Sequence, residues 1–154
     1  MKMSAVALRG SMVAVLVALC AGRAATQDPD SKSTYGAITL KSGFTPDPFV
    51  KTLDAGGPVQ TKLGGVNAWV GKAPDFKLVY EAGSLPLTIR VESKADTTLL
   101  INLPDGTWVA DDDSGGSLNP LIRFARPQSG RYDIWVGNVK KENAPATLKI
   151  SELN

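Results

Sequence analysis

The stretch of sequence that decides the fold class runs from residue 87 to residue 103 and reads LTIRVESKADTTLLINL. Apolar side chains occupy every second position in each half of it: Leu87, Ile89 and Val91, and then Leu99, Ile101 and Leu103. A period of two turns one face of an extended chain toward a core and the other toward solvent. The stretch therefore predicts two consecutive β-strands.

Runs of the same kind continue on both sides of this stretch. Further strands are predicted at residues 35–40, 49–53, 59–63, 76–80, 121–124, 131–136 and 147–151. Gly, Pro, Asp and Asn separate the runs, and no segment after residue 24 keeps a helical period. Short strands at such spacing are typical of sandwiches and barrels. We predict one all-β domain over residues 35–154, an antiparallel β-sandwich of about eight or nine strands, with a flexible lead-in at residues 25–34.

The first 24 residues have the three parts of a secretory signal peptide. Lys2 and Arg9 are positively charged, residues 11–20 form an apolar helical run, and small residues predict a cleavage site after Ala24 or Ala25. A run of about ten apolar residues is too short to span a bilayer. The leader predicts a periplasmic or secreted product with no transmembrane segment after cleavage. Cys20 leaves one alternative, because acylation of a leader cysteine would make the product a membrane-anchored lipoprotein.

The charge balance and the missing residue types exclude several functions. The chain has 17 basic and 15 acidic residues, and Lys2, Arg9 and Arg23 leave with the leader. The mature part is thus slightly acidic, and without a basic stripe it is not expected to bind nucleic acid. Cys20 is the single cysteine, and the chain contains no histidine. These absences exclude a disulfide in the mature domain, a Ser-His-Asp triad, a Cys-His pair and a His-ligated zinc site.

An acidic loop is the candidate metal site. Asp111, Asp112 and Asp113 stand side by side, and Asp105 and Asn119 supply further oxygens from neighbouring turns. Adjacent carboxylates repel one another, and calcium prefers oxygen ligands of this kind. These five residues therefore predict calcium as a candidate cofactor, although the spacing is not that of an EF-hand. The alternative is a solvated turn in which Asp and Ser bond the backbone.

Two tryptophans are the candidate binding residues. Trp108 precedes the acidic loop, and Trp135 alternates to the face of its strand that carries charged residues. An exposed tryptophan there would contact a sugar or a peptide. The alternative for Trp135 is a second buried face, because large aromatic side chains are mostly buried in folded proteins. Tyr132, on the opposite face, is predicted to lie in the core, with its hydroxyl bonded back to the backbone at a corner.

Residues 95–137 read ADTTLLINLPDGTWVADDDSGGSLNPLIRFARPQSGRYDIWVG. They contain an Asp-led strand, a Pro-Asp-Gly turn, an Asp-rich loop ending in Asn-Pro, and a Pro-x-Ser-Gly-x-Tyr-x-x-x-Val strand. This pattern resembles the bacterial pre-peptidase C-terminal domain. The resemblance implies a jelly-roll-like β-sandwich with a non-catalytic accessory role. Such domains accompany secreted proteases, and some relatives bind calcium and protein fibres.

We therefore predict an exported, non-catalytic binding or accessory module that engages a protein or a polysaccharide outside the cytoplasm. Two alternatives stay open: a hydrolase with carboxylate or Ser-Lys chemistry, and a structural or chaperone-like envelope protein. The chain has no phosphate-binding loop of the G-x-x-x-x-G-K type. No cofactor besides calcium is predicted.

Overall fold

The computed structural model describes residues 27–153, so the predicted signal peptide and Cys20 lie outside the described residues. The described residues form eleven strands and no helix, which confirms the all-β prediction. The strands are β1 (Ala37–Lys41), β2 (Phe49–Ala55), β3 (Val59–Leu63), β4 (Val66–Val70), β5 (Phe76–Glu81), β6 (Leu87–Ser93), β7 (Thr97–Asn102), β8 (Trp108–Asp111), β9 (Leu121–Phe124), β10 (Gly130–Asn138) and β11 (Ala144–Ser151). Residues 27–153 contain no helix able to cross a membrane.

The strands form two sheets that pack as a sandwich. The seven-stranded sheet has the order β1-β5-β10-β4-β3, with β7 on the other side of β10 and β8 beyond β7. The four-stranded sheet has the order β2-β11-β6-β9. One pair differs from the predicted antiparallel arrangement, because β1 runs parallel to β5. The central strands are β10, which pairs with β5, β7 and β4, and β11, which pairs with β2 and β6.

The main core lies between the inner faces of the two sheets, where the alternating pattern of the sequence places it. Its fully buried side chains include Leu78, Leu99, Ile101, Ile134 and Val136 from the seven-stranded sheet and Leu87, Ile89, Val91, Leu148 and Ile150 from the four-stranded sheet. The strand pattern at residues 87–103 is thus confirmed on this face.

A second core lies on the outer face of the seven-stranded sheet, under the β3–β4 hairpin. Apolar side chains of the hairpin and the sheet meet there: Val66, Ala68, Val70, Leu100 and Trp135. Gly137 permits this close approach, because a Cβ at that position would collide with Thr98 Oγ1 and would lie 2.8 Å from Val70 Cγ1. The hairpin therefore makes a third layer over part of the sandwich.

The turn chemistry of the sequence is confirmed at two places. Between β7 and β8, Gly106 has a φ of 82° and donates its N–H to the carbonyl of Leu103 over 2.8 Å, as a tight Asp-Gly hairpin requires. Tyr132 is 1% exposed, and its hydroxyl both donates to the Gln128 carbonyl (2.7 Å) and accepts the Gln128 N–H (2.9 Å). The predicted tyrosine corner is therefore present.

Residues 27–34, expected to form a flexible lead-in, are bound to the domain instead. The Asp28 N–H donates to the Lys72 carbonyl over 2.9 Å, and the Thr34 N–H donates to the Pro74 carbonyl over 2.9 Å. The Asp30 carboxylate pairs with the Arg131 guanidinium at 3.0 Å. Backbone N–H groups of this segment thus bond carbonyls of the loop between β4 and β5, and such pairing cannot be inferred from the polar composition of the segment.

Candidate functional site

A groove of about 1240 Å³ opens at the end of the four-stranded sheet. Its lining includes the apolar side chains of Leu53, Ala144, Pro145 and Ala146 and the aromatic ring of Tyr35. The groove thus combines apolar and polar lining groups, which is the composition typical of binding sites.

The groove exists because β6 and β11 stop pairing at this point. Their last pair is Ser93 with Ala146, so Pro145 has no strand partner on the β6 side. On the β2 side, the Asp54 N–H points away from β11 to the hydroxyl of Tyr35, at 3.1 Å. Pro145 is tolerated in this central strand because its missing N–H falls where β6 has already ended. The Ser93 hydroxyl donates to the Pro145 carbonyl over 2.8 Å and closes the pairing.

Charged side chains of both signs surround the groove. Asp54, Lys94, Asp96, Lys140 and Glu142 line it, and within residues 27–153 none of them forms an ion pair. These rim charges are therefore available to a ligand that carries complementary charges.

Glu92, which also lines the groove, already forms ion pairs with two side chains of its own sheet. Its carboxylate lies 2.6 Å from Lys149 Nζ and 3.4 Å from an Arg90 guanidinium nitrogen. The hydrogen bond from Lys149 is the main cause that lowers the pKa of Glu92. Glu92 is thus part of a surface ion-pair network rather than a free rim charge.

A turn at residues 116–119 contributes one residue, Leu118, to the lining of the groove. Its two central residues, Ser117 and Leu118, both have positive φ, at 55° and 61°. The Leu118 side chain lines the groove and is 53% exposed. The turn therefore carries an exposed apolar side chain beside the free rim charges.

The predicted metal ligands occupy separate positions with their own partners. The Asp111 carboxylate accepts the N–H and the hydroxyl of Ser114 (3.0 and 2.5 Å) and the N–H of Leu121 (2.9 Å). Asp105 lies in the β7–β8 turn and accepts bonds from Thr107 and Gln128. The bonds from Thr107 and then from Gln128 lower the pKa of Asp105 to about 2. Both carboxylates thus bond their own turns, as in the solvated-turn alternative.

Asn119, the fifth predicted ligand, joins the acidic loop to the start of β7. It is 7% exposed, and its side-chain oxygen accepts both the Ser93 N–H and the Thr97 hydroxyl at 3.0 Å. Its amide nitrogen donates to the carbonyls of Ser93 (3.1 Å) and Ser117 (3.2 Å). The amide of Asn119 thus accepts two hydrogen bonds and donates two, and these bonds connect its loop to Ser93 and to the start of β7.

The acidic loop does bring carboxylates close enough to affect one another. Burial raises the pKa of Asp113, and the charges of Asp112, Asp96 and Asp111 raise it further. Within residues 27–153, however, no three His, Cys, Asp or Glu side chains converge on a point where they could hold a metal ion. Calcium binding at this loop stays a prediction.

Calcium binding has a direct thermal test. Calcium that binds only the folded state raises the unfolding midpoint, by about 2.7 kcal/mol of stability at a hundredfold excess over Kd. We expect the midpoint in millimolar calcium to exceed that in chelator, and the double variant Asp111→Asn, Asp113→Asn to lose the difference. Asp30→Asn, which changes a carboxylate elsewhere, is the control. Equal midpoints of the unmodified protein in calcium and in chelator would contradict the site.

The two predicted binding tryptophans lie away from the groove. Trp135 is fully buried under the β3–β4 hairpin, so the interpretation as an exposed contact residue is wrong and the alternative, a second buried face, is confirmed. Trp108 is half-buried and packs on Trp135, with ring centroids 5.0 Å apart. The sequence pattern did not indicate three residues that line the groove: Tyr35, Pro145 and Leu118. Only the proline within an otherwise regular strand pattern signals that pairing is interrupted there.

Ser-Lys chemistry, the open enzymatic alternative, would require a serine hydroxyl within hydrogen-bond reach of a lysine amine. Serine hydroxyls of residues 27–153 donate hydrogen bonds to Asp28, Gly36, Pro145 and Asp111, and Ser42 bonds Tyr80. None of the bonds found in this part of the chain joins a serine hydroxyl to a lysine amine.

No protein-family model and no curated protein matches the chain. Among solved structures, it is similar to the Aeromonas hydrophila protein PliG, a periplasmic inhibitor of g-type lysozyme. The TM-score is 0.42 and the identity 18%, and the similarity covers 75% of this chain and 96% of the other.

Proposed function

We propose that the protein is an exported, non-catalytic binding module that holds a segment of a partner protein in the groove at the end of the four-stranded sheet. The observation that carries this proposal is that charges of both signs without an ion-pair partner line the same groove as several apolar side chains. Export is proposed from the signal-peptide pattern of residues 1–24. The accessory role is also what the resemblance of residues 95–137 to the pre-peptidase C-terminal domain implies.

The composition of the rim favours a protein segment over a polysaccharide. A peptide carries positive and negative side chains together, so it complements Lys94 and Lys140 on one hand and Asp54, Asp96 and Glu142 on the other. A neutral sugar chain would leave these five charges to be partly desolvated without a partner, which costs free energy.

The edge of β2 offers a second attachment for a peptide. β2 is an outer strand of its sheet, and Asp54 directs its N–H outward to Tyr35 rather than to β11. By the alternation of an antiparallel ladder, the backbone groups of Thr52 and Val50 point to the same open side. An extended peptide can pair with such an edge through its main chain.

The test uses a displayed library of random linear peptides, selected on the mature protein. Peptides that bind are then measured on two variants, Thr147→Arg and Thr39→Arg. Thr147 lies within the groove, whereas Thr39 is exposed on β1 of the other sheet. We expect Thr147→Arg to weaken binding at least about tenfold, because a long side chain fills the site, and Thr39→Arg to change it less than about twofold.

Three outcomes would contradict the proposed binding site or its protein partner. The first is that no peptide is enriched, and the second is equal binding to both variants with unchanged unfolding midpoints. The third is binding to glycans but not to peptides, which would replace the protein partner with a polysaccharide. Hydrolysis of a substrate that one point substitution abolishes would overturn the non-catalytic role.

A further inference from the structure

We infer that Leu118 is the anchor residue of the groove, held in a strained backbone conformation so that its side chain can receive an apolar side chain of the bound protein segment. This inference rests on the proposed function, because it assigns a role within the same site. It goes further by naming one residue of the groove that contacts an apolar side chain of that segment.

Two residues of this turn adopt a backbone conformation that their residue types disfavour. Gly116 and Asn119 form an isolated bridge, and the Asn119 N–H donates to the Gly116 carbonyl over 3.1 Å. Ser117 and Leu118 between them both adopt positive φ, as the central residues of a type I′ turn do. Glycine and asparagine are the residues that favour this conformation, and a leucine there is unusual.

Buried contacts hold the turn in this strained form. The Asn119 side chain donates to the Ser117 carbonyl, and the Thr97 N–H donates to the Leu118 carbonyl over 3.1 Å. Asn119 is itself fixed by Ser93 and Thr97. Strained residues persist where the surroundings over-determine them, and they concentrate at ligand-binding positions.

Packing in the hydrophobic core does not explain a leucine at position 118. The Leu118 side chain is 53% exposed and belongs to neither core cluster of the described residues. It does line the groove, together with Lys94 and Asp96. An exposed leucine at a position that disfavours it, beside charges without partners, is the arrangement of an apolar contact surrounded by a polar rim. The partner segment is therefore expected to place an apolar residue opposite Leu118 and charged residues beside it.

The experiment compares Leu118→Gly with Ser117→Gly, using a peptide selected on the unmodified protein as the probe. Both substitutions relieve a positive φ in the same turn, so both are expected to raise the unfolding midpoint. Only the first removes the apolar side chain. We expect Leu118→Gly to weaken peptide binding about tenfold or more, and Ser117→Gly to change it less than about twofold. Leu118→Met, which keeps an apolar side chain of similar volume, should retain most of the affinity.

The outcomes separate this inference from the function on which it rests. If Thr147→Arg abolishes binding but Leu118→Gly binds the peptide as tightly as the unmodified protein, the groove is the site and Leu118 is not its anchor. If both glycine variants lose affinity equally, the rigidity of the turn matters rather than the leucine, and the inference is also overturned. If Thr147→Arg has no effect, the proposed function itself fails.

Discussion

Replacement of Trp135 by alanine is expected to lower the free energy of unfolding by about 3–5 kcal/mol. The indole is fully buried between the sheet and the β3–β4 hairpin, in contact with Val66, Ala68 and Leu100. Alanine would leave a cavity that the glycine-dependent contact between β4 and β10 prevents from closing. Because small domains are stable by only about 5–15 kcal/mol, a loss of this size is a large fraction of the total.

Chemical unfolding of Trp135→Ala, followed by far-ultraviolet circular dichroism, measures this loss. Trp69→Ala is the matched control, because Trp69 is half-buried on the outer side of the hairpin, where Lys141 Nζ lies 4.7 Å from its ring centroid. We expect the control to cost less than about 1.5 kcal/mol. Similar losses for both variants would show that the second core does not stabilise the fold as described.

Replacement of Asp75 by asparagine is expected to stabilise the protein above neutral pH, by up to about 4 kcal/mol. Asp75 is 4% exposed, and burial raises its pKa to about 7, although the hydrogen bond from the Val136 N–H to its carboxylate acts in the opposite direction. Asparagine keeps an oxygen to accept that N–H, over the 2.7 Å seen for the carboxylate, and carries no charge.

The sign of the pH dependence follows from the raised pKa of Asp75. Below about pH 4 the carboxyl is protonated in the folded and unfolded states alike. Between about pH 4 and pH 7 the unfolded state ionises while the folded state stays protonated, so the free energy of unfolding falls as pH rises. Above pH 7 both states are ionised and the loss is complete.

Unfolding midpoints of the unmodified protein and of Asp75→Asn across this pH range test the prediction. The two should agree near pH 4 and diverge toward pH 8, where the variant is the more stable. Asp54→Asn, which changes an exposed carboxylate of the groove rim, is expected to follow the unmodified protein throughout. A constant difference between Asp75→Asn and the unmodified protein at every pH would contradict the assignment.

The sequence predicted the strands in which apolar side chains recur at every second position. Residues 87–91 are such a case, because β6 alternates across a single core and its period of two is visible. β4 and β8 were missed, since VNAWV is short and bounded by glycine and the four residues of β8 are all half-buried. Their burial depends on where the β3–β4 hairpin packs, which no local pattern indicates.

Trp135 shows why periodicity alone misplaced one side chain. On β10 it shares a face with Arg131, which is exposed, and with Asp133, which is 1% exposed and paired with Arg131 at 2.9 Å. The surroundings of that face change along the strand, from solvent to the hairpin. The continuous apolar run Leu99-Leu100-Ile101 on the neighbouring strand is the one signal of this in the sequence, because a strand covered on both faces does not alternate.

The groove could not be predicted from the sequence for a related reason. Its walls come from residue 35, from the ends of β2 and β6, from residue 118 and from the start of β11. These segments meet only because β11 lies between β2 and β6 in the sheet. The sequence indicated carboxylates and tryptophans because their side chains commonly bind ligands. The groove instead lies where the pairing of β6 with β11 stops, and that position depends on the strand order.

The order of the strands also governs when this protein can fold during its synthesis. The two central strands, β10 and β11, are synthesised after the other nine strands of residues 27–153. Until they emerge, the available pairs are the two-stranded ribbons β1–β5, β3–β4, β6–β9 and β7–β8, and β2 has no partner. Two-stranded ribbons are marginally stable in water. A nascent chain lacking its last two strands is therefore expected to stay unfolded, which is the state that a protein must keep if it is to be threaded through a translocation channel.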